Sequence, residues 1–133
     1  MKSLITKFIF IIMVLPFDSG QAAETEQVLL VYGDSLSASY GIAEEDGWVK
    51  LLAQKLEQES IQFEVINGSV SGETTVGGLA RLPSMLNSFK PDLVILELGA
   101  NDGLRGLPLN LIKENLITMI DIIQRSGAEV LLA

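Results

Sequence analysis

Apolar runs and amphipathic stretches alternate along most of the chain. The run Val28-Leu29-Leu30-Val31-Tyr32 stops abruptly at Gly33-Asp34-Ser35 and predicts a strand over 27–32. Short apolar runs bounded by breakers read as buried strands of a parallel sheet. A second strand over 63–66 alternates and meets the breaker pair Asn67-Gly68. A third over 93–98 is nearly continuous in apolar residues, which predicts a central strand covered on both faces. A fourth starts at Glu129-Val130-Leu131-Leu132-Ala133.

Helical spacing fills the intervals. Over 48–58, Trp48, Leu51, Leu52 and Leu56 form a stripe, with Lys50, Lys55, Glu57 and Glu59 largely off it. Over 75–89 the stripe is Val76, Leu79, Leu82 and Leu86, and Pro83 is expected to limit or kink the helix. Over 109–125 it is Ile112, Leu116, Met119, Ile120 and Ile123, ending at Ser126-Gly127 with Gly127 at C′. Segments 35–47, 69–74 and 99–108 read as loops, and Glu44-Glu45-Asp46 as a solvated part of the first. The β-α-β-α-β-α-β alternation predicts an α/β fold, a right-handed, mostly parallel sheet with helices on both faces. A final parallel strand without its crossover helix leaves one face bare, so the chain is expected to be a C-terminally truncated domain.

Composition narrows the chemistry. The 133 residues are 48% hydrophobic and 20% charged, globular values for about one domain. Cysteine and histidine are both absent, which removes disulfides, thiolate metal sites and the usual general base. With no histidine and scattered carboxylates, no metal site is expected. A net charge of −8 argues against nucleic acid and against docking on anionic lipid. Lys2 and Lys7, an apolar core over 8–17 and the small residues Ser19-Gly20-Gln21-Ala22-Ala23 read as a secretory signal peptide over 1–22. That core is too short for a stable membrane anchor. A periplasmic or secreted protein is expected.

Three strands end in small polar groups: Gly33-Asp34-Ser35, Ser71-Gly72 shortly after the second strand, and Asn101-Asp102 after the third. Taken singly, each reads first as a turn. Together they supply what acyl transfer requires, a nucleophile and donors for a developing oxyanion. Ser35 carries the hydroxyl, and its own N–H, at an expected helix start, is a donor. The Gly72 N–H is open to close approach, and the Asn101 amide is a neutral donor.

Those residues carry a resemblance. Gly33-Asp34-Ser35-Leu36-Ser37, the glycine of Val70-Ser71-Gly72-Glu73-Thr74, and Gly99-Ala100-Asn101-Asp102-Gly103 resemble, in order, the first three blocks of the SGNH (GDSL) hydrolases. Gly78-Leu79-Ala80-Arg81-Leu82-Pro83 and Asn101-Asp102-Gly103-Leu104-Arg105-Gly106 narrow it to the periplasmic thioesterase, lysophospholipase and arylesterase branch. The resemblance covers about 28–133. It implies a flavodoxin-like three-layer α/β/α fold and hydrolysis of acyl esters or thioesters, small-molecule substrates, without a cofactor. It implies Ser35 as nucleophile, the Ser35 and Gly72 N–H groups and the Asn101 amide as oxyanion hole, Asp34 in support, and 104–108 bordering the acyl site.

The family's last block, Asp-x-x-His, is absent. Asp34, Glu73 and Asp102 are weak substitutes for the missing base. The Gly-x-Ser-x-Gly elbow is also missing, since Val70 stands between Gly68 and Gly72. No Gly-x-Gly-x-x-Gly follows the first strand, against a nucleotide binder. Two expectations remain: residues 23–133 are the N-terminal part of an exported acyl hydrolase, inactive alone, or the chain is a catalytically silent acyl-binding module.

Overall fold

Strand β1 (Gln27–Gly33) lies inside the sheet, and the rest of the fold is built outward from it. A computed structural model describes residues 26–133; the signal peptide expected over 1–22 lies outside them. After β1 come a 3-10 turn (Glu44–Asp46), α1 (Trp48–Gln58), β2 (Phe63–Asn67), α2 (Thr75–Phe89), β3 (Leu93–Glu97), α3 (Ala100–Leu104), α4 (Leu109–Arg125) and β4 (Glu129–Leu132).

The four strands are all parallel and stand in the order β2-β1-β3-β4. This is the beginning of the flavodoxin-like order, in which the strand order reverses between β1 and β3. Ligands of such sheets bind at that switch point, beyond the carboxyl ends of the strands.

Strand alternation divides the core in two. Leu30, Tyr32, Val94 and Leu96 face α2 and α4, where they meet Leu82, Leu86, Met119 and Ile123. Leu29, Val31 and Ile95 face the other way, against Val49 of α1. The result is three layers, with two long helices on one face and one on the other.

The helices differ from expectation in rotation more than in extent. On α1 the inward face carries Val49, Leu52 and Leu56, while Trp48 and Leu51 are exposed. The segment holds two overlapping helical stripes, and periodicity alone does not choose between them. On α2, Thr75, Gly78, Leu82 and Leu86 are buried and Val76 is exposed. Pro83 does not end this helix, which runs on to Phe89 and closes at Lys90 in the left-handed region (φ 45°). Strand β3 stops at Glu97, one residue short of the expected end, and β1 runs one further to pair Gly33 with Glu97. The segment read as a turn at Asn101-Asp102-Gly103 is the helix α3. Gly99 (φ 122°) ends β3 there in a conformation few other residues adopt. Five residues are too few to show a hydrophobic period.

Candidate active site

All three expected strand ends open on the same edge of the sheet, at the β1/β3 switch point. After Gly33 the chain leaves β1 in one tight turn, with the Ala38 N–H donating to the Asp34 carbonyl at 2.9 Å. Residues 35–40 are turn, not helix, and the first α-helix begins at Trp48. The helix start expected at Ser35 is therefore absent. The glycine before the turn leaves space that a side chain would contest. A Cβ on Gly33 would lie 2.7 Å from Glu97 Oε2 and 2.8 Å from Ser37 Oγ.

Glu97 pins this turn to β3. Its Oε2 accepts from Ser37 Oγ at 2.8 Å and, more distantly, from the Asp34 N–H at 3.4 Å. On the other side the Asn67 Nδ2 donates to the Ser37 carbonyl at 2.8 Å, so β2 holds the turn as well. The Ser69 Oγ accepts from the Gly33 N–H at 3.1 Å, and the Val70 N–H donates to the Gly33 carbonyl at 3.0 Å. The loop after β2 is thereby laid along the end of β1 and carries Gly72 toward the switch point. Gly72 has φ 79°, and the Arg105 Nη2 donates to its carbonyl at 2.9 Å.

Asn101 joins the two loops. Its Nδ2 donates to Asp34 Oδ2 at 3.0 Å and to the Glu73 carbonyl at 2.9 Å. One side-chain amide thus touches the neighbour of Ser35 and the neighbour of Gly72. Asp34 is almost fully buried, and its other oxygen accepts from the Leu36 N–H at 3.0 Å. Ser35 and Asn101 are half-buried and Gly72 is exposed, so the junction faces solvent. Among the described residues, the N–H groups of Ser35 and Gly72 and the Ser35 hydroxyl have no protein hydrogen-bond partner.

The three carboxylates weighed as substitute bases are otherwise engaged. Asp34 is spent on Asn101 and Leu36. Glu73 Oε2 accepts from Arg81 Nε at 3.0 Å. Asp102 is fully buried, with both oxygens on Thr75: the backbone N–H at 2.8 Å and the hydroxyl at 2.5 Å.

Behind the site, Arg81 stacks on the Tyr32 ring at 4.5 Å, and the buried Tyr32 hydroxyl donates to the Gly78 carbonyl at 2.7 Å. Burial pushes the Tyr32 phenol up to about 12; Arg81 opposes that rise and Glu73 adds to it.

With that geometry in view, the model of the GDSL-like lipase/acylhydrolase family matches residues 31–133. The chain belongs to this family. Its sequence is 50% identical over 120 residues to an arylesterase of Vibrio mimicus, covering 90% of this chain and 60% of the relative. It is 39% identical over 123 residues to the thioesterase 1/protease 1/lysophospholipase L1 of Escherichia coli strain K12, covering 92% of this chain and 56% of the relative. The crystal structure of TesA superposes with a TM-score of 0.79 at 49% identity, over 80% of this chain and 59% of that one. The chain thus spans little more than half the length of the relatives it matches.

Several residues of the site escaped the sequence reading. Glu97 had a visible signal, as the lone charge in an apolar strand. Thr75 and Asn115 had none, because their roles arise from hydrogen bonds between elements far apart in the chain; Arg105 lies in the segment 104–108 expected at the acyl site, and what the sequence did not show is its bond to the Gly72 carbonyl.

Proposed function

We propose that this chain carries the nucleophile and oxyanion-hole half of a serine acyl hydrolase acting on carboxylic esters or thioesters. What supports the reading is the bridge made by Asn101. A single amide contacts both Asp34 and Glu73, the neighbours of a free serine hydroxyl and of a free glycine N–H. In this proposal the Ser35 Oγ attacks the acyl carbonyl carbon, and the carbonyl oxygen becomes an oxyanion. The N–H groups of Ser35 and Gly72 stabilise it together with one Asn101 hydrogen, the one that meets the Glu73 carbonyl in the free site and passes from it to the oxyanion. Asp34 orients the Asn101 amide through Oδ2. Collapse expels the alcohol or thiol, and water then hydrolyses the acyl-serine.

The serine proton needs an acceptor, and the 133 residues contain no histidine. The acceptor in this reading is an Asp-x-x-His block of the kind the family carries, supplied from outside these residues. The names of the arylesterase and thioesterase relatives agree with acyl esters and thioesters as the substrate class. The basic and apolar start over 1–22 makes export the proposed destiny, with residues 23–133 as the retained part.

The test is fragment complementation. A fluorophosphonate probe is added to the purified chain, alone and mixed with a polypeptide bearing the Asp-x-x-His block of the arylesterase relative. Slow labelling of Ser35 alone, rising by about three orders of magnitude or more in the mixture, is expected. Labelling that persists in Ser35→Ala would contradict the assignment. Acyl binding with no labelling under either condition would favour the silent binding module.

A further inference from the structure

Asp102 follows the bridging asparagine and stands outside the machinery just described. It is fully buried and accepts two hydrogen bonds, both from Thr75, the first residue of α2. Thr75 is itself buried, and its hydroxyl oxygen accepts from Asn115 Nδ2 of α4 at 3.0 Å. The chain Asn115–Thr75–Asp102 therefore fastens three helices together with side-chain bonds in the interior. Among the described residues no arginine or lysine pairs with Asp102. A buried carboxylate without a cation is costly, and an apolar side chain would pack the same space at less expense.

Helix capping alone does not account for this arrangement. Thr74 is already the N-cap of α2, its Oγ1 accepting from the Gly77 N–H at 3.3 Å. The additional tie joins two particular points. Asp102 is covalently next to Asn101, and Thr75 lies three residues after Gly72. The carboxylate closes a ring that runs from Asn101 through Asp102 to Thr75, back along the chain to Glu73, and home through the Asn101–Glu73 bond. Closing that ring fixes how far the Asn101 amide sits from the Gly72 peptide.

We propose that Asp102, held by Thr75 and Asn115, is a positioning residue that sets the separation of the Asn101 amide and the Gly72 N–H. Asp102 touches no substrate. It acts through Asn101 and the start of α2, and its importance for turnover rests on the oxyanion-hole reading given above. A displacement of either donor by a fraction of an ångström lengthens its bond to a reacting oxygen, where the energy falls steeply with geometry.

The test uses the full chain labelled with nitrogen-15. Thr75→Val keeps the side-chain volume and loses the hydroxyl; Thr75→Ser restores the hydroxyl; Asp102→Asn keeps the shape but turns one acceptor into a donor facing Thr75. The measurement is the amide spectrum of the Asn101 side chain and of Gly72, with hydrogen exchange at both. In Thr75→Val both signals move and exchange faster by about tenfold, as for the loss of one buried hydrogen bond. In Thr75→Ser they return to the wild-type positions, while signals on α1 stay fixed in every variant. Should Asp102→Asn fail to fold, the valine and serine pair decides. Wild-type signals for Asn101 and Gly72 in Thr75→Val overturn the proposal, as does a valine effect that serine leaves in place. Ser35 phosphonylation in the same samples separates the two readings. A rate lowered about tenfold in the valine variant and recovered in the serine variant supports both. The spectral response without any Ser35 labelling, wild type included, supports the positioning and refutes the catalytic assignment.

Discussion

Replacing Gly33 by alanine puts the packing behind the Gly-Asp-Ser turn to a direct test. The added methyl meets three atoms: Glu97 Oε2 at 2.7 Å, Ser37 Oγ at 2.8 Å and the Glu97 carbonyl at 3.0 Å. The first two hold each other in a 2.8 Å hydrogen bond, so yielding to the methyl means breaking it. The third belongs to β3, on the residue that Gly33 faces in register, and retreats only if the strand moves. Overpacking of this kind costs about 1–3 kcal/mol. A hydrogen bond to a carboxylate adds about 1.5–3 kcal/mol when lost. Since partial relaxation spares some of each, the net is about 2–4 kcal/mol, a large share of a typical stability of about 5–15 kcal/mol. Urea unfolding followed by far-ultraviolet circular dichroism measures it as a lower midpoint at unchanged slope. Glu97→Ala removes the 2.7 Å contact, so the double variant is expected to lose less than the sum of the singles. A loss below about 0.5 kcal/mol for Gly33→Ala, the ordinary scatter of surface substitutions, refutes the claim that Glu97 and Ser37 contest a side chain there.

Other expectations concern the layers behind the site. Gly103→Ala places its methyl in open space within α3, so stability holds or rises by about 0.4–1 kcal/mol in the same unfolding assay. Leu82→Ala empties a fully buried position between α2 and the sheet and costs about 2–5 kcal/mol. The Tyr32 phenol titrates near 12 when folded against 10.0 for the free group, so the folded state keeps a proton that the unfolded chain gives up. The Tyr32 contribution to stability is accordingly full below about pH 10 and is lost toward pH 12, and Tyr32→Phe removes that contribution while costing about 1 kcal/mol at neutral pH for the lost bond to Gly78. Asn101→Ala, in the complemented system, lowers Ser35 phosphonylation by about a hundredfold or more, read as a second-order labelling rate.

Much of the fold is legible in the sequence because its signals are long and repeated. The apolar runs ending at Gly33, Asn67 and Gly99 locate three strands to within a residue, and the parallel order follows from their alternation with helices. What pattern does not carry is the rotation of a helix with more than one apolar stripe. Val49 rather than Trp48 faces the sheet, and Thr75 with Gly78 takes the inward place expected for Val76. Helix α3 is too short to leave a period. The site divides in the same way. Ser35, Gly72 and Asn101 stand out because small polar residues interrupt apolar strands at one edge of a parallel sheet. The ties that fix them do not, since Glu97 reaches back to Ser37 and Asp102 to Thr75 across dozens of residues. Hydrogen bonds between distant elements have no local signature.

The structure of the phosphonylated protein shows whether the three donors converge on one oxygen. With an ethyl phosphonate on Ser35 Oγ, one phosphoryl oxygen is predicted to accept hydrogen bonds from the Ser35 N–H, the Gly72 N–H and Asn101 Nδ2, each within about 3 Å. A phosphoryl oxygen turned to solvent, with Gly72 and Asn101 keeping only their present partners, would contradict it.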